Sequence, residues 1–223
     1  MKIVAILGSP HGAKGATGVL LEGLLQGARD AGAETQIFSL PELDVQPCRG
    51  CDSCHITGDC AINDDYPAIR DAMLAADGLV LATPNYIQSV SAQLKAVMDR
   101  CCGMLHLQEI HNKYAAVVVT SGGPGGDEVE HYLLRFVRSL GYATVGAVGA
   151  LGWQMGNEQM RSPHLATAAQ LGATLVDAIR TQPHFTEQDE ERQAFMERMR
   201  QVVETQKTRW PYEYQYWATY HGL

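Results

Sequence analysis

The chain has 223 residues, 46% of them hydrophobic, and seventeen Lys/Arg against twenty-five Asp/Glu give a formal charge of -8. That is enough apolar material for one packed domain with an extension, and it argues against disorder. The acidic balance excludes the broad basic surface that nucleic-acid binding wants, though not a local phosphate site built from backbone N–H groups.

Met1 to Gly8 carries one charged side chain and a short apolar run. It reads as a first strand, Ile3 to Leu7, and not as a signal peptide or a membrane span. The expected compartment is therefore the cytoplasm, with no membrane partner. There the six cysteines serve as thiols or metal ligands more readily than as structural disulfides.

A glycine-rich turn from Gly8 leads into an apolar-periodic helix from about Thr17 to Ala31, stopped at Gly32. A second strand follows at Glu34 to Leu40, then a loop with four cysteines. Asp64 or Asp65 caps a short helix to about Leu74 that tolerates Pro67 in its first turn. Gly78 to Thr83 is the third strand, ending at Pro84, and Ser91 to Cys101 the next helix. Lys113 to Thr120 is the fourth strand, Asp127 to Leu140 a helix, Ala143 to Ala150 a glycine-rich fifth strand, and Pro163 to Arg180 the fifth helix. This alternation indicates an α/β, doubly wound five-stranded parallel sheet; the order 2-1-3-4-5 is expected by analogy with such sheets, with the ligand crevice near the first and third strands. This domain occupies residues 1–182. Residues 183–223 form a C-terminal extension: a charged helical segment from Glu187 to about Arg209, then a tail with five aromatic rings between Trp210 and Trp217. Those rings either pack back on the domain or make a subunit contact, because leaving them all in water is costly.

The loop Gly8-Ser9-Pro10-His11-Gly12-Ala13-Lys14-Gly15-Ala16-Thr17 lies between a strand and a helix start. A phosphate there meets free N–H groups, the positive end of the helix dipole, and the hydroxyls of Ser9 and Thr17. Gly12 and Gly18 let the chain wrap closely. His11 either contacts phosphate or caps the loop. It is neither a P-loop nor a dinucleotide fingerprint.

Gly8-Ser9-Pro10 with Thr17, the run Ala76 to Tyr86 containing Thr83-Pro84-Asn85-Tyr86, and the segment Ser89 to Arg100 together resemble the NAD(P)H-dependent FMN reductase family of flavodoxin-like proteins, from Met1 to roughly Arg180. The resemblance implies that Ser9, His11, Gly12, Thr17 and Gly18 hold the FMN phosphate. It further implies that Pro84, Asn85, Tyr86 and Ile87 line the isoalloxazine, and that Ser121, Gly122 and Gly123 border its other edge. Ala16 departs from the family, whose members often carry Asn there. The flavin then carries the redox chemistry while the protein orients it, with no general acid or base demanded.

Cys48, Cys51, Cys54 and Cys60 are spaced C-x2-C-x2-C-x5-C. Four thiolates this close suit a [4Fe–4S] cube, and the spacing resembles the compact motif of iron–sulfur flavoproteins. Free or redox-active thiols, zinc and disulfides stay open beside it. His55 and Asp59 read as polar surface residues, His106 and His111 as loop histidines, and one of the adjacent pair Cys101 and Cys102 as buried.

The implied function is hydride transfer from NADH or NADPH through FMN to a small acceptor such as free flavin or a quinone. Two alternatives remain: an electron carrier linking a cluster and FMN to a ferredoxin-like partner, and a redox-dependent interaction module using the aromatic tail. Relatives form dimers and tetramers, so a homodimer or homotetramer is expected.

Overall fold

The structure, a computed structural model, describes residues 1–223. Five strands, β1 (Lys2–Leu7), β2 (Glu34–Ser39), β3 (Gly78–Pro84), β4 (Tyr114–Ser121) and β5 (Ala143–Leu151), form one sheet in the order β2-β1-β3-β4-β5. Every pairing is parallel, as the expected topology requires. Strands β1, β3 and β4 are almost wholly apolar because both of their faces are covered.

The period-two alternation divides these strands between two cores. Val4, Ile6, Leu79, Leu81, Val117 and Val119 face helices α3 (Tyr66–Ala75), α4 (Ala92–Arg100) and α6 (Gly126–Leu140). Ile3, Ala5, Leu7, Val80, Ala116 and Val118 face α1 (Ala16–Asp30) and α8 (Glu158–Thr181). Helices α1 and α8 cross at backbone contact. A Cβ on Gly27 would sit 2.0 Å from Ala169 O, and one on Gly172 2.0 Å from Leu24 O. The glycines in β5 do not break it. The chain skips one residue between Thr144 and Gly146, a bulge whose Gly146 takes φ +137°.

Four expectations need amending. Helix α8 begins at Glu158, five residues before Pro163, because the Asn157 side chain caps it by accepting from Met160 N (3.1 Å). The charged segment, α9 (Thr186–Thr205), ends sooner than expected, and the tail is itself a helix, α10 (Pro211–Tyr220), with Pro211 in its first turn. Two short helices in stretches read as loop, α2 (Ser53–Thr57) and α5 (Cys102–Leu107), complete one flank. A further turn, α7 (Gly152–Met155), follows β5.

Candidate functional site

The loops after β1, β3 and β4 leave the carboxyl edge of the sheet side by side, cross-linked by hydrogen bonds. Gly8 N donates to Ala82 O (2.8 Å), and Ser91 Oγ donates to Gly8 O (2.6 Å), which ties the first loop to β3 and to the cap of α4. Thr17 Oγ1 and Thr120 Oγ1 lie 2.6 Å apart and join the start of α1 to β4. Asn85 closes the set, donating from N to Thr120 O (2.6 Å) and from Nδ2 to Gly125 O (3.0 Å).

In the first loop the N-cap of α1 is Gly15, which offers no side-chain acceptor. The N–H groups of Ala16, Thr17 and Gly18 therefore begin the helix without an intrahelical partner. Gly18 packs against the turn beneath it, where an added Cβ would lie 2.5 Å from Gly12 O. Gly12 takes φ +57°. Ser9 and Thr17 are buried and their hydroxyls have protein partners, since Ser9 Oγ accepts from His11 N (3.3 Å). His11 itself is exposed. Donors there come chiefly from the backbone.

After β3, Pro84 is buried and Asn85 half-buried, whereas Tyr86 and Ile87 stand out at 44% and 97% exposure. The Tyr86–Ser89 backbone pair holds this turn, with Ile87 at φ 49° and Gln88 at φ 60°. A β-branched residue in the left-handed region is strained. After β4, Ser121 is buried, while a Cβ on Gly122 or Gly123 would meet nothing within 4 Å. Asn85 Oδ1 is buried and has no hydrogen-bond partner. A cleft of about 390 Å³ runs beside Gly123 to Asp127 and reaches Leu151 and Gln154. A larger cavity of about 770 Å³ lies at the opposite edge of the sheet, near Lys113, Tyr142 and Arg192, away from the crevice where ligands of such sheets bind.

Trp153, 59% exposed in α7 just past β5, carried no signal in the sequence. The position of Ser91 before Leu94 is a readable capping signal, but its bond to Gly8 is not.

On the flank formed by α2 and α5 the four cysteines of the loop are all free, Cys48 and Cys51 exposed, Cys54 and Cys60 half-buried. Cys60 Sγ accepts from Arg100 Nη2 (3.2 Å), and Arg100 also pairs with Asp64, both side chains fully buried. Burial pushes the Asp64 carboxyl up. Hydrogen bonds from Arg100 and from the backbone of Gln46 and Tyr66 outweigh it and hold Asp64 below its ordinary range.

Two histidines differ from expectation. His55 is buried on α2, and His106 sits within α5, not in a loop. Both reach Glu213 of α10, whose side chain is fully buried. His55 Nδ1 contacts Oε1, and His106 Nδ1 lies 3.1 Å from Oε2. Cys102 Sγ lies 3.6 Å from His55 Nε2. The reason is tertiary: α10 folds back over α2 and α5. Trp210 stacks on His55 at 4.6 Å, Trp217 Nε1 donates to His106 O (2.8 Å), and Asp52 accepts from Arg209 (2.6 Å). Hydrogen bonds with His106 and His55 lower the Cys102 thiol to about 6. Burial alone would lower His106, but its bonds to Cys102 and Glu213 raise it to about 9. Neighbouring Cys101 is buried, which pushes its thiol up to about 12.

The family model described as NADPH-dependent FMN reductase matches residues 1–154. The chain belongs to that family. It is accordingly an NAD(P)H-dependent, FMN-containing oxidoreductase. An iron-sulfur flavoprotein of Archaeoglobus fulgidus is 28% identical, the match covering 86% of each chain. Another, of Methanocaldococcus jannaschii, is 39% identical over 57% of this chain and 66% of its own. A third relative, an NADPH:quinone oxidoreductase of Arabidopsis thaliana, is 33% identical over 50% of this chain and 56% of its own. Among solved structures, RosB superposes with a TM-score of 0.67 at 16% identity, over 89% of this chain and 87% of its own. The NAD(P)H:quinone oxidoreductase of Methanothermobacter marburgensis gives 0.64 at 20% identity, over 78% and 96%. At those identities the superpositions establish the flavodoxin-like fold. No helix is long and apolar enough to cross a membrane.

Proposed function

We propose that FMN binds across the three cross-linked loops and that this chain passes reducing equivalents from NAD(P)H to a small acceptor at the open side of the ring. The observation that carries this reading is the set of helix-start donors at Ala16, Thr17 and Gly18 beside the buried, unpartnered Asn85 Oδ1. The first group suits a phosphate dianion. The second suits a donor on the flavin's pyrimidine edge, so the residues present fit the group. When bound, FMN supplies hydride and electron chemistry.

The chain's own work is binding and access. Gly12, Gly15 and Gly18 bring backbone N–H groups close to the phosphate, while Ser9 and Thr17 brace the loop from inside. Pro84 and Asn85 form a floor for the ring, and Ser121, Gly122 and Gly123 border it without side-chain obstruction. Tyr86, Ile87 and Trp153 rim the mouth as exposed apolar surface, suited to a flat donor or acceptor such as a nicotinamide, free flavin or quinone. Titration with FMN, followed by anaerobic reduction with NADH and with NADPH, tests this. Uptake of one FMN per chain and its bleaching by a pyridine nucleotide are expected; no FMN uptake overturns the assignment.

One observation favours a second element, a [4Fe–4S] cluster on Cys48, Cys51, Cys54 and Cys60. All four thiols are free within one short stretch that includes α2, and Arg100 points a cationic donor at Cys60. The donor set is the soft kind that such clusters take. With a cluster, the acceptor side extends to one-electron partners such as a ferredoxin. Iron and acid-labile sulfide in protein purified without oxygen decide it: about four of each per chain support a cubane, and none in a preparation that still holds FMN removes it.

A further inference from the structure

Behind the cysteine loop, three side chains from three separate helices converge on one point. His55 of α2, His106 of α5 and Glu213 of α10 each present a ligand atom, all within 4.8 Å of one another. The His106 Nδ1 to Glu213 Oε2 separation is 3.1 Å. A tetrahedral zinc ion with bonds of about 2.0–2.2 Å sets its ligand atoms about 3.3–3.5 Å apart, so an ion would draw the His55–Glu213 and His106–Glu213 contacts apart and close the wider separations in the group.

We propose that His55 Nδ1, His106 Nδ1 and the Glu213 carboxylate form a binding site for a divalent cation of the zinc class, distinct from the four-cysteine loop. Two imidazoles and one carboxylate are a donor set that zinc takes with a fourth position left open. The surroundings suit that role. Cys102 Sγ lies 3.6 Å from His55 Nε2, where the sulfur can accept the Nε2–H and so leave Nδ1 free for a metal. Trp210 lies face-on to His55 (4.6 Å, 27°) and edge-on to His106 (5.3 Å), screening the group from water.

Charge balance supports the cation. Glu213 is fully buried, and a divalent ion bound to it would offset the charge of its carboxylate. The site also has a structural consequence. Glu213 lies on α10, so the ion would fasten the C-terminal tail to α2, the helix that carries Cys54.

The test uses the full chain with Cys48→Ser, Cys51→Ser and Cys60→Ser, which disarms the loop and leaves the trio intact. This protein is stripped with chelator and titrated with Co²⁺, then with Zn²⁺ in competition, while absorption and thermal stability are followed. The expected result is one Co²⁺ per chain, d–d bands of a four- or five-coordinate site without a sulfur charge-transfer band, displacement by Zn²⁺, and a metal-dependent rise in Tm. In the same background His106→Ala should weaken binding beyond the roughly 10–100-fold typical of an outer partner, and Cys102→Ser should weaken it within that range. Uptake unaffected by His106→Ala, a sulfur band on the bound cobalt, or no stoichiometric uptake by protein whose circular dichroism matches the parent would each overturn the proposal. His55→Gln gives a second removal of the trio should His106→Ala fail to fold.

Discussion

The carboxyl edge of the sheet and the flank formed by α2, α5 and α10 are built on opposite principles. At the edge, the donors are backbone N–H groups and the close approaches are made by glycines, with side chains bracing from behind (Ser9, Thr17, Ser91 and Thr120). On the flank, the backbone merely positions cysteines, histidines, Arg100, Asp64 and Glu213, and those side chains carry the chemistry. A backbone site tolerates changes of side-chain identity but not of shape. A side-chain site is the reverse, since losing one partner leaves a buried charge exposed to no compensation.

The largest effect should come from breaking the flank. Asp64→Ala leaves the buried Arg100 guanidinium unpaired and strands the N–H groups of Gln46 and Tyr66, so a loss of about 3–5 kcal/mol is expected in urea denaturation at neutral pH. The pH dependence has a definite sign. Asp64 is held below its unfolded value near 3.8; its stabilisation is therefore complete above that value and is lost as pH falls through the lower folded one. The parent should lose stability across that acid window more steeply than Asp64→Ala. Parallel acid curves would show that the pair contributes little.

Shape at the edge comes next. Gly18→Ala sets a Cβ 2.5 Å from Gly12 O and 2.6 Å from Ala13 Cα, a clash with backbone that cannot swing aside. Overpacking of this kind costs about 1–3 kcal/mol, or roughly ten- to hundredfold in FMN affinity if the distortion falls on the loop. Flavin fluorescence quenching reads it directly. Gly123→Ala sharpens the contrast, because open space surrounds its Cβ. Stability should stay within about 0.5 kcal/mol of the parent while FMN affinity falls. Unchanged affinity would remove Gly123 from the ring's border.

The smallest expected effect is at the rim. Tyr86→Ala deletes a ring already 44% exposed. It should leave folding and FMN binding intact and lower kcat/KM for a quinone acceptor several-fold, about 1 kcal/mol of lost contact. A change in FMN affinity instead would place Tyr86 against the flavin and not at the mouth.

The edge was legible because its signals are local. A glycine-rich turn between an apolar run and a periodic helix needs only neighbouring residues to be recognised, and the alternation of strands and helices follows from hydrophobic period; the strand order came by analogy with sheets of this kind. Even there, what Ser91 and Thr120 do escaped the sequence, since Ser91 meets Gly8 across 83 positions and Thr120 meets Thr17 across 103. The flank was legible only as a cysteine spacing. His55 and His106 carry nothing locally that separates them from surface residues. Their partner Glu213 lies 158 positions from His55 and 107 from His106, in a tail whose aromatic density signalled burial but not where.

By itself, then, the sequence determined the strand and helix alternation of the doubly wound sheet, the glycine-rich first loop and the presence of four cysteines in one short stretch, because period, punctuation and spacing act over a few residues. Only the tertiary structure decided that α10 folds back over α2 and α5, that Arg100 and Asp64 are buried behind Cys60, and that two histidines and a glutamate converge there. Those contacts depend on where distant apolar faces find one another, and a buried carboxylate is tolerated only once its partners have been brought to it.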